Sequence, residues 1–398
     1  MPFNNFEAFL HIIHVSDIHC RDGSSPTDLR AERLVQNLVK LLRRAGSRER
    51  ANLVEVLWEQ GLAGHDPCAH EKMCRFLRWF AHDKQFGGIE TWLLDTGDLS
   101  SMGDIGSLQT ACKWLQEYQA ILKASELLVL YGNHDAWPGQ FPLAAPKAAL
   151  DAHRKALRGS VFPPLWPQGP LCAAIPHTQS RLLLSSVNSA IDDRWYNSWA
   201  LGRVDIDPNW VEPEAGTDQL QKLADDTEQG FHADRVTRDF RILAVHHPVH
   251  YPPPRPSYQM SLKNDSAVAD ALIRFDQKRR GKLAHLVLSG HTHVAFPALG
   301  ALPAFAVGQY HQPLTHGQLQ LIAGSLAQMP RAADRAAAGR MFVPQQFQIL
   351  TFFAPPPGAP HQQQLLIERR LVGRPGGTGD YKILSRPKAP VEAVLMDY

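Results

Sequence analysis

The chain has 398 residues and carries 41 basic against 39 acidic side chains, a formal net charge of +2. This balance gives no electrostatic reason to expect a membrane partner and counts modestly against a nucleic-acid partner. An apolar fraction of 44% is ordinary for a globular protein and supplies enough side chains for a large core. The length exceeds that of a usual single domain, although elaborated α/β enzymes hold such a length as one unit.

The cysteines and the N-terminal residues indicate the cellular location of the protein. The cysteines are odd in number and scattered: Cys20, Cys68, Cys74, Cys112 and Cys172. Such usage is typical of reduced thiols and favours a cytoplasmic location. The apolar run at 9–15 is interrupted by His11 and His14, so we interpret it as a first strand and not as a signal peptide. No apolar segment of the sequence approaches the roughly 18 residues of a membrane span.

Short polar motifs follow apolar runs of strand type at 12–15, 91–94, 127–131, 242–245 and 286–288. The motifs are Asp17-Ile18-His19, Gly97-Asp98, Gly132-Asn133-His134-Asp135, His246-His247-Pro248 and Gly290-His291-Thr292-His293. Open α/β sheets place their ligands outside the carboxyl ends of strands. Carboxylate oxygen and imidazole nitrogen suit divalent ions that also bind phosphate. If the strand ends meet at one edge, the sequence predicts a site for two metal ions bridged by Asp98.

The ordered set of motifs resembles the calcineurin-like metallophosphoesterase superfamily, and its style is closest to the class III cyclic-nucleotide phosphodiesterases. The motifs span residues 17–293. The resemblance implies an α/β fold, a four-layer α/β/β/α sandwich. It also implies one metal site built from Asp17, His19, Asp98 and His293, and a second built from Asp98, Asn133, His246 and His291.

The same resemblance implies roles for the neighbouring residues. A hydroxide that bridges the two ions attacks phosphorus in line, with no covalent enzyme intermediate. Asn133 and His134 are expected to bind the substrate, and His134 to stabilise charge or protonate the leaving oxygen. We predict that Asp135 orients His134, which makes both catalytic residues. The family pattern takes the first histidine of the HHP motif as the ligand, so His247 is expected to support the ligands from behind.

The second motif lacks the acidic residue that many nucleases and protein phosphatases of the family carry a few positions later. We therefore predict a phosphodiesterase that acts on a small phosphodiester, such as a cyclic nucleotide or a nucleotide conjugate. Mn²⁺ or Fe²⁺ are the expected ions, with Zn²⁺ or Ni²⁺ as substitutes.

Two alternatives stay open. A DNA or RNA nuclease of the same fold would need a basic track, and the lysines and arginines here are dispersed. A non-catalytic scaffold would be expected to lack ligands, whereas every ligand position here is filled by a competent residue.

The spacing of apolar residues also predicts the domain organisation. Residues 27–86 form a helical insertion between the first two metal-ligand motifs, longer than a parallel crossover requires. Strand-like runs place C-terminal sheet and edge segments at 294–370, and we treat 1–398 as a single domain. Within the insertion, Cys68, His70 and Cys74 have a zinc-like spacing but lack a fourth partner. We interpret them as ordinary residues on one face of an amphipathic helix.

Overall fold

A computed structural model of the chain describes residues 5–21, 26–52, 54, 66, 68–83, 86–101, 103, 105–135, 170–190, 202–204, 219–220, 223, 239–249, 262, 264–278, 282–292, 312–313, 319–327, 345–358, 363–374, 379–384 and 392–398. In chain order its elements are β1 (Glu7–Val15), α1 (Pro26–Arg44), α2 (Ala69–His82), β2 (Glu90–Asp95), α3 (Ile105–Leu122), β3 (Glu126–Val129), β4 (Leu171–Ala174), β5 (Arg181–Ser186), β6 (Asp239–Ala244), α4 (Asp265–Lys278), β7 (Leu286–Ser289), β8 (Gln312–Pro313), β9 (Leu319–Ile322), β10 (Gln346–Ala354), β11 (Gln364–Gly373), β12 (Lys382–Ile383) and β13 (Glu392–Asp397). None of these helices is both long and apolar enough to cross a bilayer.

The strands form two sheets. The first has the order β12-β11-β10-β1-β2-β3, with β13 paired to β11. Strands β1, β2 and β3 run parallel, whereas β10 joins β1 in the antiparallel direction. The second sheet has the order β4-β5-β6-β7-β9-β8, and its strands β5, β6, β7 and β9 run parallel. Each sheet therefore has a run of parallel strands whose carboxyl ends share one edge.

A continuous apolar layer separates the two sheets. Successive side chains of a strand point to opposite faces, so alternate residues share a face. Leu10 and Ile12 of β1 accordingly belong to one buried cluster with Phe240 and Ile242 of β6. Both sheets contribute their inner faces to this cluster, which makes it the interior of a sandwich.

Helices cover the outer faces of both sheets. Ile13 of β1 is buried together with Leu77 of α2 and Leu115 of α3. On the other side, Leu243 of β6 is buried together with Leu272 of α4. The order helix, sheet, sheet, helix confirms the predicted four-layer α/β/β/α architecture.

Two described helices, α1 and α2, lie in the segment predicted to be a helical insertion. The apolar face of α2 is buried and includes Met73, Phe76, Leu77 and Phe80. At the other end of the chain, β13 extends the first sheet beyond residue 370, and its sequence gave no pattern that predicted a strand. The division of the chain into one domain with an insertion stays a prediction.

Candidate metal centre

The carboxyl ends of β1, β2, β3, β6 and β7 carry the predicted site residues. The structure describes eight of them, and each is at most 8% exposed: Asp17, His19, Asp98, Asn133, His134, Asp135, His246 and His291. The remaining predicted ligand, His293, lies outside the described residues. Three of the strands belong to the first sheet and two to the second. The centre is therefore assembled where the two parallel runs of the sandwich meet.

Four of these residues have a left-handed backbone conformation with positive φ. Asp17, His19, Asp98 and His291 have φ angles of 53°, 49°, 58° and 67°. Side chains disfavour this left-handed region, at about 1–2 kcal/mol per residue. Hydrogen bonds hold the loops in place, because the Asp17 N–H donates to Gly97 O at 2.8 Å and the His19 N–H to Asp98 O at 2.9 Å. The His291 N–H donates to Asp17 Oδ2 at 2.9 Å, which joins the two sheets.

The glycines of the motifs allow close approach of these loops. A Cβ atom on Gly132 would lie 2.0 Å from Asp98 Oδ1, and one on Gly290 would lie 1.8 Å from the Ser16 hydroxyl oxygen. Both contacts are far shorter than any real side chain shows. Glycine is required at these positions because the neighbouring strand ends would otherwise be pushed apart.

Asp98 lies at the middle of the centre. Its Oδ1 accepts the backbone N–H of His134 at 2.9 Å. Its buried Oδ2 has no hydrogen-bond partner among the described residues and lies 3.4 Å from His246 Nε2 and 3.9 Å from His19 Nε2. Burial raises the pKa of Asp98, but the neighbouring His246 and His134 outweigh it and hold the pKa well below its ordinary value. The carboxylate is therefore ionised and has one oxygen directed at the imidazoles.

His246 is held so that its outer nitrogen faces the centre. Its Nδ1 lies 2.7 Å from the Thr96 carbonyl oxygen, which can only accept, so Nδ1 carries the proton. Its Nε2 lies 3.1 Å from Asn133 Oδ1 and 3.2 Å from His291 Nδ1. Burial lowers the pKa of His246, but the Asp98 carboxylate outweighs it and raises the pKa to about 9. A metal-ligating histidine is typically oriented by such a hydrogen bond to its other ring nitrogen.

Potential ligand atoms lie within 4.8 Å of one another in three groups at this edge. The groups are Asp17, Asp98 and His246; His19, Asp98 and His134; and His246, His247 and His291. Asp98 and His246 each belong to two of them, and the two groups that share Asp98 combine residues from both predicted ion sites. His247 offers a ring nitrogen within 4.8 Å of those of His246 and His291, and its Nδ1 lies 2.7 Å from the Ser189 hydroxyl oxygen. Its expected role in supporting the ligands stays a prediction.

The structure gives Asp135 contacts other than the one predicted. Its carboxylate accepts the backbone N–H groups of Leu99, Ser100 and Gly132 at 3.1, 2.8 and 3.0 Å, and so ties the loop after β2 to the loop after β3. His134 has its Nδ1 2.9 Å from the Ser101 carbonyl oxygen. These contacts support a positioning role for Asp135, and its assignment as a catalytic residue stays a prediction.

Other polar residues near the strand ends have structural partners. The Asp95 carboxylate accepts the Gly97 N–H at 2.8 Å and so closes the turn before Asp98. His14 lies between the Thr96 hydroxyl and the Gln348 amide, at 3.0 and 2.6 Å. Burial lowers the pKa of His14 to about 3, so this imidazole is neutral. Both residues support the loops.

The donor set fits divalent ions. Carboxylate, amide and imidazole groups converge, and such oxygen and nitrogen donors suit ions that also bind phosphate. Oδ2 of Asp98 is a buried anionic atom that accepts no hydrogen bond among the described residues and faces the imidazoles of His246 and His19, so it is available to ligate an ion between them. The residues of this chain can therefore hold a divalent metal, as the sequence predicted.

Comparison with known proteins identifies the family. Residues 10–295, more than half of the chain, match the calcineurin-like phosphoesterase family. No curated protein matches. Among solved structures, sulfate thiohydrolase SoxB of Thermus thermophilus, in complex with glycerol, is 13% identical with a TM-score of 0.39, covering 93% of this chain and 57% of that chain. A 5'-nucleotidase precursor of Thermus thermophilus is 13% identical with a TM-score of 0.40, covering 98% of this chain and 54% of that chain.

This chain thus spans a little over half of the length of those two structures. The family match confirms the predicted resemblance, and it covers every motif on which the resemblance rests. The chain belongs to the calcineurin-like phosphoesterases, a family of divalent-metal-dependent hydrolases.

Proposed function

We propose that this phosphoesterase is a phosphodiesterase that hydrolyses a small phosphodiester, such as a cyclic nucleotide or a nucleotide conjugate. The observation that carries metal-dependent hydrolysis is the position of Asp98, whose ionised carboxylate is shared by two groups of potential ligands. The preference for a diester is proposed from the style of the sequence motifs. One ion would be held by Asp17, His19, Asp98 and His293, and the other by Asp98, Asn133, His246 and His291. Mn²⁺ and Fe²⁺ fit this mixture of carboxylate, amide and imidazole donors.

When bound, a pair of divalent ions supplies Lewis-acid activation of the phosphoryl group and of the attacking water. The chain contributes a rigid and water-poor frame, since the described ligands are at most 8% exposed. Asn133 is a neutral donor and limits the negative charge that faces an anionic substrate. The arrangement therefore favours binding of an anionic phosphate ester.

His134 is the residue proposed to act on the leaving group. Its Nδ1 lies 2.9 Å from the Ser101 carbonyl, which fixes the ring in one orientation. As an imidazolium it retains this hydrogen bond and presents its Nε2 proton, which is the proton that a departing alkoxide requires. Its ring lies 4.8 Å from that of His19, centroid to centroid, so this proton donor stands directly beside the metal ligands.

The test compares a diester with a monoester. Hydrolysis of bis(p-nitrophenyl) phosphate and of p-nitrophenyl phosphate would be measured side by side with added Mn²⁺, in the wild type and in Asp98→Asn. We expect diester hydrolysis to exceed monoester hydrolysis by at least tenfold, and both to fall to background in the variant. A thermal melt of Asp98→Asn checks that the substitution leaves the fold intact.

The outcomes separate the proposal from its competitors. Dominant monoester hydrolysis would make the protein a phosphatase. A preference for single-stranded DNA over cyclic nucleotides would make it a nuclease. Absence of any hydrolysis by folded, Mn²⁺-loaded protein would favour a binding scaffold.

A further inference from the structure

A second group of potential metal ligands lies on the helical layer, outside the strand-end centre. It consists of His70 and Cys74 on α2 and Glu117 on α3. His70 Nε2 lies 3.1 Å from Glu117 Oε2. Cys74 Sγ lies 3.4 Å from Glu117 Oε1 and almost equally far from the two ring nitrogens of His70, 3.9 Å from Nδ1 and 4.0 Å from Nε2. An imidazole, a thiol and a carboxylate from two different helices therefore converge on one point.

The separations match the edges of a coordination tetrahedron. Zinc binds nitrogen at about 2.0–2.1 Å, oxygen at about 2.0–2.2 Å and sulfur at about 2.3 Å, which places the ligand atoms about 3.3–3.6 Å apart at tetrahedral angles. The observed values of 3.1, 3.4 and 4.0 Å bracket this range. Adjustments of about half an ångström, small for these side chains, would complete three corners of the tetrahedron.

The imidazole of His70 is oriented as a metal ligand would be. Its ring stacks on Trp114, with centroids 4.6 Å apart and an interplanar angle of 11°. Its Nδ1 lies 3.1 Å from the hydroxyl of Tyr118, a residue that is fully buried. Without an ion, Nε2 donates to the Glu117 carboxylate, which can only accept, and the phenol donates to Nδ1. With an ion bound, the proton would lie on Nδ1, which would donate to the phenol oxygen, and Nε2 would be the ligating nitrogen.

We propose that His70, Cys74 and Glu117 hold a zinc-class divalent ion that ties α2 to α3, with solvent as the fourth ligand. The thiol and imidazole belong to adjacent turns of one helix, where residues four apart share a face. The site is accessible, since the side chains of His70 and Glu117 are 22% and 46% exposed. Cys68 is not part of the group, and Glu117 of α3 supplies a ligand that the spacing on α2 alone does not provide.

Ion binding replaces the thiol proton, and the charges balance. Without an ion, burial and the nearby Glu117 raise the pKa of the Cys74 thiol to about 12, so it is protonated and donates to the carboxylate. The ion forms a bond to sulfur, and the proton leaves to solvent. One thiolate and one carboxylate then offset the two positive charges of the ion. Arg78, 3.7 Å from Glu117 Oε1 and half exposed, can retain a contact with the carboxylate or turn to solvent.

The decisive measurement uses Co²⁺ as a spectroscopic substitute for zinc. A cobalt–thiolate bond gives a charge-transfer band in the near ultraviolet, and the ligands proposed for the strand-end centre include no thiolate. We expect the full-length protein to show this band and Cys74→Ser to lose it. Cys68→Ser is the matched control, because it makes the same chemical change two residues from His70 and is expected to retain the band.

Zinc stoichiometry provides an independent readout. After equilibrium dialysis, we expect Cys74→Ser and Glu117→Gln to bind one zinc ion fewer per chain than the wild type. Glu117 is exposed, so its substitution leaves the fold intact even where Cys74→Ser does not. Hydrolysis with Mn²⁺ is expected to be unchanged in Glu117→Gln. A wild type without the band, a Cys74→Ser protein that retains it, or equal zinc content in all variants would overturn the proposal.

Discussion

The two groups of potential metal ligands differ in how the chain builds them. The strand-end centre is at most 8% exposed in its described ligands, and four of its residues have left-handed backbone. The helix-surface cluster of His70, Cys74 and Glu117 is partly exposed and lies on regular helices. The strand-end centre is built from loops joined by hydrogen bonds. The helix-surface cluster uses the four-residue spacing on α2 and one contact with α3.

This difference shows where conformational strain is useful. Left-handed backbone at non-glycine residues is costly and persists where the surroundings enforce it, as they do at many catalytic sites. In the strand-end centre that enforcement comes from backbone hydrogen bonds between loops and from the glycines between them. A structural ion needs no such precision, so relaxed helices suffice. The donor types differ as well, because only the helix-surface cluster offers a thiol, which favours zinc over manganese.

Removal of metal is expected to give the largest functional difference between the strand-end centre and the helix-surface cluster. Extensive chelation should reduce hydrolysis by at least about 10³-fold, since both Lewis-acid activation and water activation depend on the ions. Added Mn²⁺ should restore hydrolysis in the wild type and in Cys74→Ser, but not in Asp98→Asn. Failure of Mn²⁺ to restore activity in a folded Cys74→Ser protein would show that the two groups do not act independently.

A methyl group on Gly132 is expected to damage the strand-end centre alone. In Gly132→Ala the new Cβ would lie 2.0 Å from Asp98 Oδ1, so the carboxylate must move. Misplacement of a reacting group by about 1 Å can lower the rate about 10²-fold, and we expect at least that loss in kcat/KM. The cobalt–thiolate band should be unaffected.

Gly358→Ala is the matched control for that substitution. Gly358 has a φ of 73° and open space around its Cα, so alanine there strains the backbone without touching the centre. We expect a loss of about 1 kcal/mol in the free energy of unfolding and an unchanged kcat/KM. Equal catalytic defects in the two variants would show that general loosening, and not contact with Asp98, explains the effect.

Replacement of His134 is expected to affect chemistry without affecting metal content. His134→Gln should lower kcat by about 10²–10⁴-fold for an alkyl diester, whose leaving oxygen needs a proton. The loss should be smaller for a nitrophenyl ester, since nitrophenolate leaves without protonation. Metal content should match the wild type, whereas His246→Gln should bind less metal. Equal losses on both esters would argue that His134 stabilises charge and does not donate a proton.

Sequence reasoning predicted the strand-end centre well because its residues are local to strand ends. An apolar run predicts a strand, and the polar motif that follows it marks the carboxyl end of that strand. Parallel strands bring their carboxyl ends together at one edge of the sheet. The same reasoning predicted the four layers. It did not predict that a ring nitrogen of His247 lies within 4.8 Å of those of His246 and His291, because whether the second histidine of a pair faces inward depends on the loop conformation.

Contacts between distant segments were the part that sequence could not supply. Glu117 follows His70 by 47 positions and belongs to no motif, so nothing in the spacing joins them. Asp135 was predicted to orient His134, and the sequence did not indicate that its carboxylate accepts N–H groups from the loop after β2. Strand β13 has a short and mixed sequence, and its pairing with β11 depends on an edge that only the folded sheet provides.

Burial also predicts a pH effect on stability. It concerns His285 and His11, two buried histidines that belong neither to the strand-end centre nor to the helix-surface cluster. Burial, with Lys282 and Arg241 nearby, lowers the pKa of His285 to about 3, and burial with Arg370 lowers that of His11 to about 4. Both pKa values lie below the unfolded value of about 6.5, so the unfolded state binds more protons in between. The contribution of these two histidines to the free energy of unfolding should therefore be most favourable above pH 6.5 and fall as the pH decreases towards 4, by up to about 1.4 kcal/mol per pH unit for each histidine.

The variant His285→Asn tests this assignment. His285 Nδ1 accepts the Arg241 N–H at 3.0 Å, and the asparagine oxygen can take over that acceptor role without titrating. We expect urea denaturation of chelator-treated protein to show a slope about 1.4 kcal/mol per pH unit shallower between pH 6 and 4. Chelation matters, because bound ions would add their own proton competition at the strand-end centre. An unchanged slope would mean that His285 is protonated within the folded protein, which its stacking on Phe240 at 5.1 Å and its near-complete burial argue against.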